Sequence, residues 1–346
     1  MRVSLAVLLG KRNLKFQLWK PVHGCAKVGG GKVNTAGDKM KAFQRRSKIL
    51  TELLSASVLT LLGQSASRAQ ETMGITEVTS NVLVFATRTG NVIASVGPDG
   101  ALLIGIPSAD SMAQISDELV GRTKSPVRYL VIAPQDPAQS EGDAGWGRRG
   151  ALVAMQEKAL ERIGGHVMGA PKPLSERFVK LGVDRPRISF SDVISFDLNG
   201  EAVHVVKQKP GYSDADALVH FHVAKLIYFG EVFPGDGYPA VDTAHGGTLD
   251  GIVKMLEGWT DPGFHVVPAR GEVTNGPGLK AFCDMIKAVR RQVQRSIDAG
   301  RAESEVVAEH PTAEFDAKWG HGRVSAEAFI QEIYRELKAE KERLKD

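Results

Sequence analysis

Cysteine is nearly absent: Cys25 and Cys283 are the two in 346 residues, so no disulfide framework supports the chain. Long apolar runs are absent too. The stretch from Leu53 to Leu62 falls short of the ~20 residues a membrane-spanning helix requires. No Walker or dinucleotide-binding glycine pattern follows a strand, which argues against nucleotide cofactors. After residue 70 there is no Gly/Ser or Pro-rich linker and no repeat at a fixed period, which excludes solenoids and arrays. The most informative absence is local. From Val131 to Asp143 the chain reads VIAPQDPAQSEGD, a polar loop after a buried-strand pattern, and it contains no histidine.

What is present fits one globular unit of enzyme size. Hydrophobic residues make up 42% of the chain, enough to build a large core. The net charge of +4 is misleading. Of 44 basic and 40 acidic residues, 13 and two lie in the first 69, so the remainder holds 31 and 38 and carries about −7. That balance argues against nucleic acid as a partner.

From Met40 the sequence has the order of a secretory signal: a positive region (Lys41, Arg45, Arg46, Lys48), the short apolar run, then Ser67-Arg68-Ala69 at a cleavage spacing. Arg45-Arg46 also fits a twin-arginine signal. The organisation expected is a leader or upstream mis-start over 1–39, a signal peptide over 40–69, and a globular domain over 70–346 that ends in a docking helix. The expected location is periplasmic or secreted, with no stable membrane span once the signal is removed.

Within that domain, Asn81 to Ala86, Asn91 to Val96 and Ala101 to Ile106 read as a β-meander punctuated by Thr-Gly and Pro-Asp-Gly turns. Asp110 to Leu119 has helical spacing, and Val127 to Ile132 reads as a buried strand. Gly150 to Ile163 reads as helical. Arg187 to Phe190, Val193 to Leu198 and Ala202 to Lys207 are strand candidates, followed by a hairpin over Leu218 to Val223 and Lys225 to Phe229. Leu249 to Leu256 is expected as a short helix, His265 to Val267 as a strand, and Gly278 to Ile297 as a long amphipathic helix. Ser325 to Lys345 places Phe329, Ile330, Ile333, Tyr334 and Leu337 on one stripe. Strands closed by helices in each half favour an α/β, four-layer αββα sandwich of two mixed β-sheets.

One ordered set of motifs adds to this reading. Pro210-Gly211-Tyr212-Ser213-Asp214-Ala215-Asp216 precedes a strand, then come Tyr228-Phe229-Gly230-Glu231-Val232-Phe233, Gly235-Asp236-Gly237-Tyr238-Pro239 and Gly246-Gly247-Thr248-Leu249. Phe315-Asp316 and Trp319-Gly320 follow before the last helix. In this order the chain resembles the metallo-β-lactamase superfamily, in particular its exported hydrolases, from about Ile75 to Leu337. The resemblance implies a site where imidazoles and carboxylates hold a cation that activates water. At the positions it assigns to ligands, this chain has Gln135, Pro137, Gln139, Ser140, Tyr212, Glu231 and Arg270. Of these only Glu231 keeps a carboxylate, and Arg270 brings a permanent positive charge. An Arg270–Glu231 ion pair filling the vacated site is therefore expected.

The expectation is a superfamily fold without its metal ligands, a non-catalytic exported protein whose cleft binds a small molecule or a protein partner. No cofactor is expected. The alternative is a hydrolase using unusual ligands, with zinc, or metal-free carboxylate chemistry. Asp136, Glu141, Asp143, Trp146, Asp214 and His245 are candidates to line the cleft. His220, His222, His245 and His265 are the nearest material for a relocated metal centre, against which a packed or surface pair is the plainer reading of His220 and His222.

Overall fold

A computed structural model describes residues 73–105, 109–132, 145–162 and 186–345. The expected leader and signal, and the loop holding Gln135, Asp136, Pro137, Gln139, Ser140, Glu141 and Asp143, lie outside the described residues. The chain divides into two units, Met1–Gln70 and Glu71–Asp346. Every described element falls in the second.

Thirteen strands are described, in two sheets. The first contains β1 (Gly74–Thr79), β2 (Val82–Thr87), β3 (Gly90–Ser95), β4 (Ala101–Ile104), β5 (Val127–Ile132), β6 (Leu152–Gln156) and β7 (Ile188–Phe190), in that spatial order. Its first four strands form an antiparallel meander, and β4 to β7 run parallel. The crossover from β4 to β5 carries helix α1 (Ala109–Arg122). The second sheet has the order β13-β12-β11-β10-β9-β8, built from β8 (Val193–Leu198), β9 (Glu201–Lys207), β10 (Ala217–Phe221), β11 (Leu226–Tyr228), β12 (His265–Val267) and β13 (Thr274–Asn275). Helices α3 (Leu249–Leu256), α4 (Gly276–Asp298), α5 (Glu303–Ala308), α6 (Asp316–Trp319) and α7 (Ala326–Arg343) follow from its strands.

The layers follow from side-chain alternation. Along β2, Val82 and Val84 point into the core between the sheets, where they join Phe196, Val203, Val219, Phe221 and Tyr228. Leu83 and Phe85 point the other way, toward Met112, Ile115 and Leu119 of α1. On the far side of the second sheet, Leu218, Ile227 and Val266 pack with Ile252, Phe282, Ile286 and Phe329 of α3, α4 and α7. Three apolar interlayers thus hold four layers together. Each fully buried Val, Leu or Phe contributes about 1.5–3 kcal/mol to that assembly.

One expected element is different. Residues 152–156 form strand β6, and only Glu157–Arg162 is helical, as α2. β6 lies between β5 and β7 with both faces covered: Val153 and Met155 face the α1 side, while Ala154 faces the second sheet. A central parallel strand buried on both faces has no polar alternation, so its sequence cannot be told from a buried helical turn. The switch to helix is fixed by Gln156, whose Oε1 accepts from the backbone N–H groups of Lys158 and Ala159. The long helix α4 begins at a cap: Asn275 accepts from Gly278 N–H, with a proline in the first turn. None of the described helices is long and apolar enough to cross a membrane.

Candidate functional site

The site is assembled at one end of the second sheet. Strands β11 and β12 run parallel, with Tyr228 in register with Val267. Glu231 stands three residues beyond Tyr228 and Arg270 three beyond Val267, so the topology delivers both to the same place. Backbone bonds lock the two turns together: Ala269 N–H donates to Phe233 C=O (2.8 Å) and Arg270 N–H to Pro234 C=O (3.0 Å). Gly235 makes the approach feasible. It has φ +81°, and a Cβ there would meet Pro268 Cβ at 2.3 Å and Arg270 C=O at 2.4 Å. From the first sheet, the buried Asn91 side chain donates to the carbonyls of Pro268 and Gly271, each at 2.9 Å, and fastens the Arg270 turn to the other half of the sandwich.

The expected ion pair is present. Arg270 Nη1 and Nη2 donate to Glu231 Oε1 (2.9 Å) and Oε2 (3.2 Å), and Nε donates to Asp236 Oδ2 at 3.0 Å. The Arg270 and Glu231 side chains are only 15% and 12% exposed. Burial pulls the guanidinium pKa down, but the bonds and charge of Glu231 and then Asp236 reverse this and hold it above its ordinary value. Arg323 Nη2 adds a third contact, 2.6 Å from Glu231 Oε2.

Arg323 arrives through glycine contacts. Gly237 and Gly322 touch so closely that a Cβ on either would come within 2.5 or 2.6 Å of the other's Cα. The neighbouring Tyr238 is fully buried. It stacks on Phe329 of α7 with ring centroids 4.7 Å apart, and its hydroxyl donates to Asp316 Oδ1 at 2.7 Å. Burial, reinforced by the Asp316 carboxylate, raises the phenol pKa.

These groups line a cavity of about 450 Å³, with Tyr212, Glu231, Asp236, Asp242, Arg270 and Arg323 as its polar walls and Pro234, Tyr238, Ala240, Val241 and Val324 among the rest. Its size lies in the range of small-molecule sites. Tyr212, Glu231 and Arg270 come together here. The other candidates are distributed differently. His245 Nδ1 lies 2.6 Å from Asp242 Oδ2, at the edge of the cavity. Asp214 is ion-paired with Arg162 at the end of α2. Trp146 is 5% exposed and packs into the α1-side core. His220 packs against both Trp259 and Phe264, opposite His204 across β9 and β10, with His222 beside it. Burial first, then the neighbouring His222 and His204, lowers its pKa. His265, on β12, is exposed.

Among the described residues, the side chains lining this cavity do not fit a divalent cation. Both Glu231 oxygens accept from guanidinium N–H groups, and Arg270 places a fixed positive charge between Glu231 and Asp236. Among the described residues no group of three or more His, Cys, Asp or Glu side chains is arranged to hold a metal ion. The loop from Val131 to Asp143, which the superfamily resemblance makes the main source of ligands, supplies no imidazole.

Sequence reasoning missed Asp236, Asp242, Arg323 and the Tyr238–Asp316 link. The glycines were the available signal: Gly235 and Gly237 flank Asp236, and Gly320 and Gly322 precede Arg323.

The architecture has counterparts among solved structures. The stereoselective inverting sec-alkylsulfatase Pisa1 from Pseudomonas sp. superimposes with a TM-score of 0.56 at 14% identity, over 76% of this chain and 50% of that one. The two share a fold. A double mutant of the sulfatase gives the same TM-score and identity over 77% of this chain. A metallo-β-lactamase from Pontibacter korlensis matches with a TM-score of 0.47 and 16% identity, over 62% of this chain and 99% of that one. The chain spans about half the length of the sulfatase, and at 14% identity the likeness is one of fold. No protein-family model and no curated protein matches the chain by sequence.

Proposed function

We propose that this protein is a non-catalytic, exported binding protein that uses the metallo-β-lactamase-like cleft to hold a small molecule. The observation that carries this reading is the Arg270–Glu231 pair, a guanidinium bonded to a carboxylate where the superfamily resemblance expects a metal site. A guanidinium at that point repels a second cation, and its carboxylate partner already accepts three guanidinium hydrogen bonds. Function resides in the site rather than the fold. The cavity beside the pair retains the size and mixed polarity of a ligand pocket.

The second reading is a hydrolase of the same superfamily that works through unusual metal ligands or metal-free carboxylates, and the structural likeness to an alkylsulfatase favours it. One experiment separates the two. The protein is purified from cells grown with added zinc, iron and manganese, its metal content is measured by mass spectrometry, and ester, lactam, thioester and secondary sulfate ester probes are tested. Metal well below one equivalent per chain and no turnover are expected. Stoichiometric metal with turnover overturns the proposal. Export is tested separately by the N-terminus of the species recovered outside the cytoplasm, expected near Gln70.

A further inference from the structure

We infer that the helix-side face of the second sheet carries a site for a divalent transition-metal ion, Cu(II) by preference, chelated by His220 and His222. This goes beyond the proposed function and does not depend on it, because the pair lies toward the turn between β10 and β11, at the opposite end of β11 from Glu231. Side chains two residues apart on a strand share a face. Phe221, between them, points into the core between the sheets, and His222 continues the ladder by donating its N–H to Ala202 C=O at 3.0 Å.

Backbone and ring positions are set before any ion arrives. The buried Glu201 carboxylate accepts from the N–H groups of Val223 (2.7 Å) and Ala224 (2.9 Å) and pins the turn just beyond His222. His220 is held by aromatic contacts to Trp259 and Phe264, with ring centroids 5.5 and 6.1 Å away. The nitrogens remain available. Neither imidazole makes a hydrogen bond to a described residue, no nitrogen of His220 is shut off from solvent, and His222 is exposed.

The spacing suits one ion. A nitrogen bound at ~2.0 Å puts its ring centroid about 3 Å from the metal, so two imidazoles on one ion have centroids no more than about 6 Å apart. The observed separation is 5.8 Å. A small rotation of the exposed His222 ring then narrows the angle between the two bonds. A third histidine, His204, stands opposite His220 on β9, with Nδ1 2.9 Å from Ser195 Oγ. Among the described residues no three such groups converge, so the ion takes two imidazoles and fills its remaining positions with water. Two neutral nitrogen donors suit Cu(II) above Ni(II) and Zn(II), and offer little to magnesium or calcium, which take oxygen ligands.

Isothermal titration of the untagged protein with Cu(II), Ni(II) and Zn(II) tests this, alongside tryptophan fluorescence. One saturable Cu(II) site per chain is expected, tighter than for Ni(II) or Zn(II), and its occupation should quench Trp259, which packs on His220. His220→Ala and His222→Ala should each weaken Cu(II) by about tenfold or more, whereas His265→Ala, which removes an exposed histidine on β12, should leave it unchanged. Trp259→Phe should abolish most of the quenching and keep the binding. Circular dichroism checks that the variants fold, and His222, being exposed, is the safer of the two ligands to change. No saturable binding at submillimolar Cu(II) overturns the inference, as does wild-type affinity in either His220→Ala or His222→Ala. Copper binding without turnover leaves the proposed function standing. Metal-dependent turnover that persists in both variants removes the proposed function alone.

Discussion

Replacing Arg270 with methionine should be among the most damaging single changes in the second unit. Met matches the length of the side chain but removes all three of its donated bonds, which leaves Glu231 with Arg323 alone and Asp236 with none. Arg270 and Glu231 are 15% and 12% exposed, so solvent compensates little for the loss of their pairing. At about 4 Å and an effective dielectric near 20, such a pair is worth roughly 4 kcal/mol, and removal of one partner from a buried pair costs about 3–5 kcal/mol. Arg323→Met is the internal control. It loses one contact from a side chain 51% exposed, for which solvent screening limits the cost to about 0–1 kcal/mol. For a unit of this size each kcal/mol shifts Tm by roughly 2 °C, so calorimetry at pH 7 should show a fall of about 5–10 °C for Arg270→Met and about 2 °C or less for Arg323→Met. Adding Glu231→Leu to Arg270→Met should recover a good part of the loss, because the stranded carboxylate is then gone. Equal shifts for the two single variants, or less than about 1 kcal/mol for Arg270→Met, would refute the view that the guanidinium fills the site as a structural cation.

Asp216 offers a pH test. Burial pushes its carboxyl up to about 6, against bonds donated by Gly211, Ser213 and Tyr212. The folded state therefore holds this proton more tightly than the unfolded chain, and Asp216's contribution is greatest below about pH 4 and lost as pH rises through about 6. Relative to Asp216→Asn, stability should decline by about 2 kcal/mol between pH 4 and 7 in urea titrations, and parallel curves would contradict this. Tyr238→Phe removes a hydroxyl bonded at 2.7 Å to a carboxylate but keeps the stack on Phe329, so a loss of about 1.5–3 kcal/mol is expected by thermal unfolding. Cys283 is buried on α4, and burial pushes its thiol up to about 12. A chromogenic disulfide reagent should label it only in denaturant, and rapid labelling of the folded protein would contradict its place in the core.

The layers were legible because their cause is local. Period-two alternation in β9, the 3.6-residue stripes of α4 and α7, and the turn residues between strands each reflect a face that must be buried. Where both faces are buried, as in β6, that signal vanishes and the helical expectation failed. The Arg270–Glu231 pair was expected because the superfamily resemblance placed both residues on turns that converge. Asp236 and Arg323 gave no such indication, since nothing in a linear sequence says that Gly237 and Gly322 touch.

The sequence by itself therefore determined the αββα order of elements and the want of imidazoles in the loop after β5, because periodicity and residue type are properties of the chain alone. Only the tertiary structure decided what stands at the end of the second sheet. The parallel register of β11 and β12 and one contact between two glycines bring together charges from three separated segments, and their mutual neutralisation exists only once those segments meet.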